Sequence, residues 1–235
     1  MGRAVAGSNE MFRREAEAAF REFVMRQEYP CVGARAALNG DTYVLRAYKE
    51  LGASETSAEL SRDLYAFANS KLREESEYAS FIAVFREPLV PNELEFEQLL
   101  WQQLRGLHEL DAQRFAWDAG VSSDPADPQF SFSFAAQAFY VIGMHPNSSR
   151  LARRFPWPAL VFNPHEQFEH LRADGKWKRM QETIRERDVT LQGSINPMLS
   201  DFGQSSEARQ YSGRAVEGDW QAPFAAKPAK CPFHH

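Results

Sequence analysis

The amino-acid sequence predicts a single α+β domain in which helices flank a mixed or antiparallel sheet. Segments with helical periodicity alternate with short apolar runs of strand length, but they lack the regular alternation of a parallel α/β fold. The chain has 235 residues, of which 43% are hydrophobic and 25% are charged, and this is an ordinary globular composition. Because no repeat or long linker divides the chain, we expect residues 1–28 to form a helix that packs on one domain of residues 29–235.

The elements of the first half follow from periodicity and from residues that end helices. Residues 9–27 predict a helix whose apolar face consists of Phe12, Ala16, Ala19, Phe20 and Phe23. Pro30 ends this helix, because the residue before a proline avoids the helical region. The next predicted elements are a short helix over 31–38, a strand over 42–48, a helix over 53–77 and a strand over 79–86. Asn92 and Glu95 then form a capping box for a helix that reaches about Ala112.

The second half is predicted to contain strands that are rich in phenylalanine. Phe130, Phe132 and Phe134 alternate with small residues, and a mostly apolar run follows them. Two strands, or one long bent strand, are therefore expected over 130–143. Another buried strand is expected over 158–163.

A strong helix-start signal follows that last strand. Asn163 is expected to cap the helix, Pro164 to occupy its first position, and Glu166 to complete the capping box. A further helix of mixed charge is expected over 176–188. From Gly193 onward, glycine, serine, asparagine and proline dominate, so little regular structure is expected.

Charge and cysteine content exclude several classes of protein. The net charge is −5 and the isoelectric point is near 5.7, so no general basic field is available to hold a nucleic-acid backbone. No apolar run approaches the roughly 18 residues that span a bilayer, and the N-terminal segment lacks the apolar region of a signal peptide. Because the chain has only two cysteines, Cys31 and Cys231, a disulfide framework is excluded. These observations predict a cytoplasmic protein with no nucleic-acid or membrane partner.

A cluster of cationic side chains follows the apolar run 139–144. His145 comes directly after that run, where the carboxyl end of a strand often presents side chains to ligands. Arg150, Arg153 and Arg154 come next, and guanidinium groups donate paired hydrogen bonds to carboxylates or phosphates. The same residues are equally consistent with a solvated basic turn.

The segment 163–170 matches a zinc-protease motif only in part. Its two histidines, His165 and His170, are five positions apart, whereas the two zinc ligands of that motif are four apart on one helix face. Zinc is therefore the less favoured interpretation. His165 lies in the first turn of the predicted helix, where backbone N–H groups and the helix dipole favour an anion.

Cys31 is a candidate reactive or metal-binding residue, because it follows a proline at a predicted helix start, where a thiolate is stabilised. The alternative role for such a residue is that of a small buried hydrophobic side chain. Two polar loops, over 193–197 and 206–214, contain glycines, and loops of this kind often carry binding sites. The residues by themselves therefore predict a buried ligand site that is lined by arginine and histidine.

Many of these residues lie in segments that resemble the YqcI/YcgG family. The resemblance extends over about residues 29–233, and its most specific segments are Tyr29-Pro30-Cys31, Val141 to Arg150, Leu160 to Glu169, Leu191 to Leu199 and Ser206 to Arg214. The family includes haem-dependent N-hydroxylases. One branch acts on a guanidino compound in guanitoxin biosynthesis, and another makes N-hydroxyarginine in the cycloserine pathway. The segment Cys231-Pro232-Phe233 also resembles the end of the family, although a short insert displaces it here.

The resemblance implies a haem-dependent N-hydroxylase that oxidises a guanidino or amino group of an arginine-like small molecule. Haem b is the implied cofactor, O2 or peroxide with an electron donor are the implied co-reactants, and a homo-oligomer is an option. The implied axial ligand of the iron is a histidine or a thiolate, with three candidates: His145, His165 and Cys31. The implied partners of the haem propionates are Arg150, Arg153 and Arg154, and Ser149 is a further implied cofactor-binding residue. The carboxylates implied for a cationic substrate are Glu166 and Glu207, with Asp188 and Asp201 as further candidates.

Two other classes of function remain open from the sequence. A haem-binding carrier or sensor needs the same haem site but no carboxylate for a substrate. A metal-dependent hydrolase would use His145, His165 and Glu169, although their spacing is unfavourable.

Overall fold

Five strands form one mixed sheet in the computed structural model of the chain, which describes residues 2–200 and 203–227, with side chains from residue 8 onward. The strands are β1 (Tyr43–Glu50), β2 (Ser80–Glu87), β3 (Phe132–Phe134), β4 (Gln137–Met144) and β5 (Ala159–Pro164). Their order in the sheet is β1-β2-β5-β4-β3. β1 runs parallel to β2, and the other neighbouring pairs are antiparallel. The predicted α+β class with a mixed sheet is confirmed.

Helices cover both faces of this sheet. In the described ranges they are α1 (Gly2–Met25), α2 (Val32–Asn39), α3 (Ser54–Ala68), α4 (Lys71–Glu75), α5 (Glu93–Asp111), α6 (His165–Ala173), α7 (Lys176–Gln192) and α8 (Ala208–Tyr211). None of these helices is long and apolar enough to cross a membrane. After α7, the described chain contains only the four-residue α8, which confirms the prediction of sparse regular structure from Gly193 onward.

The alternation of side chains along the strands divides the core into two layers. On one face, residues such as Phe81 pack with Trp101 of α5. On the other face, residues such as Ile82 pack with Phe20 of α1. The predicted apolar face of the N-terminal helix is thus the face that meets the sheet.

The prediction of a single helix over 53–77 is wrong, because the chain forms two helices there, α3 and α4. Asn69 ends α3 by donating from Nδ2 to the Tyr65 carbonyl oxygen at 2.8 Å. Ser70 then caps α4, since its Oγ accepts a hydrogen bond from Arg73 N at 3.2 Å. Side-chain bonds of this kind compete with the helical pattern of backbone bonds.

The prediction that Asn163 caps the following helix is also wrong. Asn163 belongs to β5, and its Oδ1 accepts a hydrogen bond from Ser80 Oγ of the neighbouring strand at 2.7 Å. Pro164 is the N-cap residue of α6 and provides no side-chain bond. The helix nevertheless begins at His165, so this histidine lies in the first turn, as predicted.

The hairpin between β3 and β4 turns through two alanines in an unfavourable conformation. Ala135 and Ala136 have φ angles of 53° and 56°, which is the left-handed region that side chains with a Cβ disfavour. Asp111 at the end of α5 ties the turn to the helix, because its Oδ1 accepts a hydrogen bond from Ala135 N at 2.9 Å. Burial raises the pKa of this carboxyl group to about 6.

Candidate functional site

A cavity of about 240 Å³ lies on the α1 side of the sheet. Its floor consists of apolar side chains from three neighbouring strands, among them Ile82, Ile142 and Val161. Residues of α2 and α7 provide much of the remaining lining. A mostly apolar pocket with a few converging polar groups is the usual form of a small-molecule site, so the polar groups of this lining indicate what the cavity binds.

α7 presents an apolar stripe to the cavity. Trp177, Met180 and Ile184 recur at helical spacing and line the cavity together. Asp188 is nevertheless the only residue of α7 that is buried. The apolar stripe of α7 is therefore only half-buried.

A buried ion pair and hydrogen bonds hold the C-terminal end of α7 to the rest of the domain. Arg150 Nη2 donates to Asp188 Oδ2 at 2.6 Å, in an ion pair whose two side chains are only 10% and 8% exposed. The same nitrogen donates to the Ser194 carbonyl oxygen at 3.1 Å. Gly175 and Gly193 flank the helix with φ angles of 69° and 78°. These are conformations that glycine adopts without strain.

Cys31, one of the three predicted iron ligands, lies on the cavity wall. It is the N-cap residue of α2, and its Sγ accepts a hydrogen bond from Ala34 N at 3.4 Å. Desolvation raises the pKa of this thiol. The backbone N–H groups of Gly33 and Ala34 and the guanidinium of Arg153 act in the opposite direction, because they stabilise the thiolate.

Arg153 places a buried guanidinium group on the same wall. Its Nη1 donates to the main-chain carbonyl oxygens of Gly143 at 3.3 Å and Tyr211 at 3.0 Å, and its side chain also hydrogen-bonds the Tyr140 hydroxyl. Within the described residues, no ion pair includes Arg153. Burial therefore lowers the pKa of this guanidinium, and no carboxylate of the described chain neutralises its charge.

The other two predicted cofactor-binding residues do not line the cavity. Ser149 N and Oγ both donate to Glu93 Oε1, at 2.8 and 2.7 Å. Arg154 Nε donates to the Ser148 carbonyl oxygen at 2.9 Å. Of the four predicted cofactor-binding residues, the cavity lining therefore contains only Arg150 and Arg153.

His145 is buried beneath α5, away from the cavity lining. Its neighbour Met144 lines the cavity, and the alternation of strand side chains directs His145 to the opposite face. There its ring stacks on Phe96 with 4.4 Å between the ring centroids. In the described part of the chain neither ring nitrogen has a hydrogen-bond partner, and burial lowers the pKa of the imidazole to about 4.

His165 and Glu207 form a buried pair, of which only Glu207 lines the cavity. His165 Nε2 lies 3.6 Å from Glu207 Oε1. Burial lowers the pKa of His165 and raises that of Glu207 to about 8. Both side chains therefore favour their neutral forms at pH 7. A cation near Glu207 would lower its pKa and favour the ionised carboxylate.

Glu166, the second carboxylate predicted for a substrate, lies on the protein surface. Arg73 Nη2 donates to its Oε2 at 2.6 Å, and the glutamate side chain is 54% exposed. His170 Nε2 lies 3.7 Å from its other oxygen. The structure thus separates the two predicted glutamates, with Glu207 in the cavity and Glu166 in a surface network.

A row of polar side chains on the cavity floor was missed by the sequence analysis. Ser80 donates to Asn163, Asn163 Nδ2 donates to the Tyr140 carbonyl oxygen at 3.4 Å, and Tyr140 OH donates to Gln210 Oε1 at 2.8 Å. These four side chains all line the cavity. The period-2 alternation of the strands was the available signal, because it places each strand residue of the row on the same face as an apolar floor residue.

In the residues that the structure describes, no three His, Cys, Asp or Glu side chains come close enough together to hold a metal ion. The hydrolase set of His145, His165 and Glu169 therefore gains no support from them. Two residues that the sequence analysis discussed, Asp201 and Cys231, lie outside the described residues.

Comparison with known proteins identifies the family of this chain. The sequence profile of the YqcI/YcgG family matches residues 20–225, which include the cavity-lining residues Cys31, Arg153 and Glu207. The uncharacterized protein YqcI of Bacillus subtilis (strain 168) is 28% identical over 215 residues, which cover 88% of this chain and 80% of that protein. No solved structure was found to match. Since the family profile covers most of the sequence, the chain belongs to the YqcI/YcgG family.

Proposed function

We propose that this chain is a cytoplasmic haem-dependent monooxygenase that hydroxylates a guanidino or amino nitrogen of an arginine-like small molecule. The observation that carries the proposal is the composition of one cavity wall, where the thiol of Cys31 and the buried guanidinium of Arg153 lie beside an apolar floor. An axial ligand, a cation for a propionate and an apolar slot are what a haem requires from a protein. The donor set of the cavity fits that requirement.

Cys31 has the strongest support among the three implied axial ligands. It lines the cavity, whereas His145 and His165 are not part of the lining. A thiolate from Cys31 would increase the electron density on a bound haem iron, and this is a property suited to oxygen activation. The N-terminus of α2 and Arg153 would stabilise the thiolate form that binds iron.

The cavity must expand before it can hold a haem, because its volume is small. Sites for drug-sized ligands usually span roughly 300–1,000 Å³, so the present 240 Å³ is small for a macrocycle. We propose that α7 is the wall that moves, because its apolar stripe is half-buried and Asp188 is its only buried residue. We therefore expect haem to displace α7 outward and to bury that stripe.

Glu207 is the carboxyl group that we assign to the substrate. A guanidinium that enters the cavity favours the ionised form of Glu207, and the resulting carboxylate accepts paired N–H bonds from the planar cation. Its proton passes to water or to His165 Nε2, 3.6 Å away. The bound haem would supply the oxidation: one atom of O2 enters the N–O bond and the other leaves as water, with two electrons and two protons from a donor.

The experiment is mass spectrometry of haem-loaded protein that is incubated with arginine and small guanidines, with O2 and a reductant or with peroxide. We expect a product that is heavier by one oxygen atom. Glu207→Gln should retain haem and lose most of this activity, and the matched variant Glu166→Gln should keep it. If fully haem-loaded protein oxygenates no guanidine or amine, the proposal is wrong and the carrier or sensor alternative is favoured.

A further inference from the structure

We infer that Arg153 is the carboxylate receptor of the cavity, and that its guanidinium binds a carboxylate group of the ligand that fills this space. The proposed ligands are organic monocarboxylates or molecules with a carboxylate arm. The identity of the natural ligand rests on the proposed function, but the receptor is a property of the chain without any cofactor.

Arg153 is a buried cation whose N–H donors are only partly paired. Arg153 is 9% exposed and lines the cavity. A guanidinium has five N–H donors, yet its hydrogen bonds to the main chain come from Nη1 alone. A buried charge is costly unless a partner of opposite charge meets it, and the described chain supplies no carboxylate to Arg153.

The groups that act electrostatically on Arg153 include no carboxylate among the described residues, and one of them, Arg150, is itself a cation. The side-chain hydrogen-bond partner of Arg153 is the hydroxyl group of Tyr140. Burial raises the pKa of Tyr140 to about 12, so this hydroxyl carries no compensating charge at pH 7. A ligand anion is the partner that this wall lacks.

Contacts within the chain hold the Arg153 side chain in place. A Cβ at Gly213 would lie 2.6 Å from Arg153 Cδ, so the backbone at this glycine packs directly against the arginine stem. The two carbonyl contacts fix one end of the guanidinium. A preorganised planar fork of this kind suits the two oxygens of a carboxylate.

Neither of the two neighbouring arginines combines an unpaired charge with a place on the cavity wall. Arg150 forms its buried ion pair with Asp188 at 2.6 Å. Arg154 bonds to the Ser148 carbonyl oxygen and does not line the cavity. The sequence pattern treated the three arginines alike, and the structure assigns the receptor role to one of them.

The test uses cofactor-free protein and isothermal titration calorimetry with benzoate and its uncharged analogue benzamide. We expect benzoate to bind at least roughly tenfold more tightly than benzamide, since only benzoate forms charge-assisted bonds. Arg153→Gln should reduce benzoate binding to the level of benzamide, whereas Arg154→Gln should leave it unchanged. Equal binding of the two compounds, no benzoate binding, or full benzoate affinity in folded Arg153→Gln would overturn the inference.

A second variant covers the case in which Arg153→Gln does not fold. Arg153→Lys keeps the charge but loses the planar fork, so we expect it to bind benzoate several-fold more weakly than the wild type. Unchanged benzoate affinity in that variant contradicts the inference.

Two further arms identify the source of the natural carboxylate. If it is a haem propionate, Arg153→Gln weakens the binding of haem but not of haem dimethyl ester. If it is the carboxylate of the substrate, the variant binds haem normally and loses the preference of the wild type for arginine over agmatine. If the chain binds no haem at all, the proposed function fails, but the comparison of benzoate with benzamide still decides the receptor.

Discussion

Replacing Glu207 with glutamine should stabilise the cofactor-free protein, and by more at pH 8 than at pH 5. Burial raises the pKa of this carboxyl group from 4.5 to about 8. Between those values the folded state holds a proton that the unfolded chain has lost, so the free energy of unfolding of the wild type falls as the pH rises. Glutamine has nearly the same shape and carries no charge at either pH.

The size of this stabilisation follows from the difference between the two pKa values of Glu207, 4.5 in the unfolded chain and about 8 in the folded state. One pKa unit corresponds to about 1.4 kcal/mol, so the interval from 4.5 to about 8 sets an upper limit on the order of 5 kcal/mol at pH 8 and above. Local relaxation of the structure and the buried His165, 3.6 Å away, reduce the free-energy cost of ionising Glu207 in the folded wild type. We expect a gain of about 1–3 kcal/mol at pH 8 and almost none at pH 4.5.

Urea unfolding followed by circular dichroism at pH 5, 6, 7 and 8 measures this difference. Glu166→Gln is the matched control, because it removes the same charge from an exposed ion pair with Arg73, and such pairs contribute about 0–1 kcal/mol. A stability difference between Glu207→Gln and the wild type that does not grow with pH would refute the reasoning.

Three further changes have defined outcomes. Ala136→Gly should raise the free energy of unfolding by about 0.5–1 kcal/mol in thermal melts, because Ala135 and Ala136 occupy the left-handed region, and a lower stability contradicts this. His145→Phe should lose less stability than the wild type between pH 6.5 and 4 in urea titrations, because the buried imidazole, with a pKa of about 4, takes up its proton mainly after unfolding. If the stability of His145→Phe falls as steeply with acid as that of the wild type, the low pKa of His145 is contradicted. Asp188→Asn should cost about 3 kcal/mol by leaving Arg150 unpaired and should accelerate hydrogen exchange in α7, and unchanged exchange contradicts this role.

Most strands and helices of this protein were predictable because they depend on local patterns. The apolar spacing of α1, the capping residue Asn92 of α5, which accepts a hydrogen bond from Glu95 N at 2.9 Å, and the alternation of β3 all act within a few residues. The break between α3 and α4 was missed, because two side-chain bonds at Asn69 and Ser70 override a pattern that is otherwise helical. The order of the strands depends on pairing between distant segments, which periodicity does not encode.

The site was predictable as a set of residue types but not as an arrangement in space. A single position decides that Met144 lines the cavity while His145 lies under α5. The same holds in the turn that follows, where Arg153 reaches the cavity and Arg154 does not. Burial also decides the state of Glu207, and burial of one side chain depends on elements far apart in the sequence.

The absorption spectrum of haem-reconstituted protein, reduced and bound to carbon monoxide, tests the central claim most directly. We predict a Soret band with the position that is characteristic of thiolate ligation, its loss or displacement in Cys31→Ala, and an unchanged spectrum in His145→Phe. The absence of a Soret band after incubation with excess haem, or a Cys31→Ala spectrum that is identical to that of the wild type, would contradict the claim.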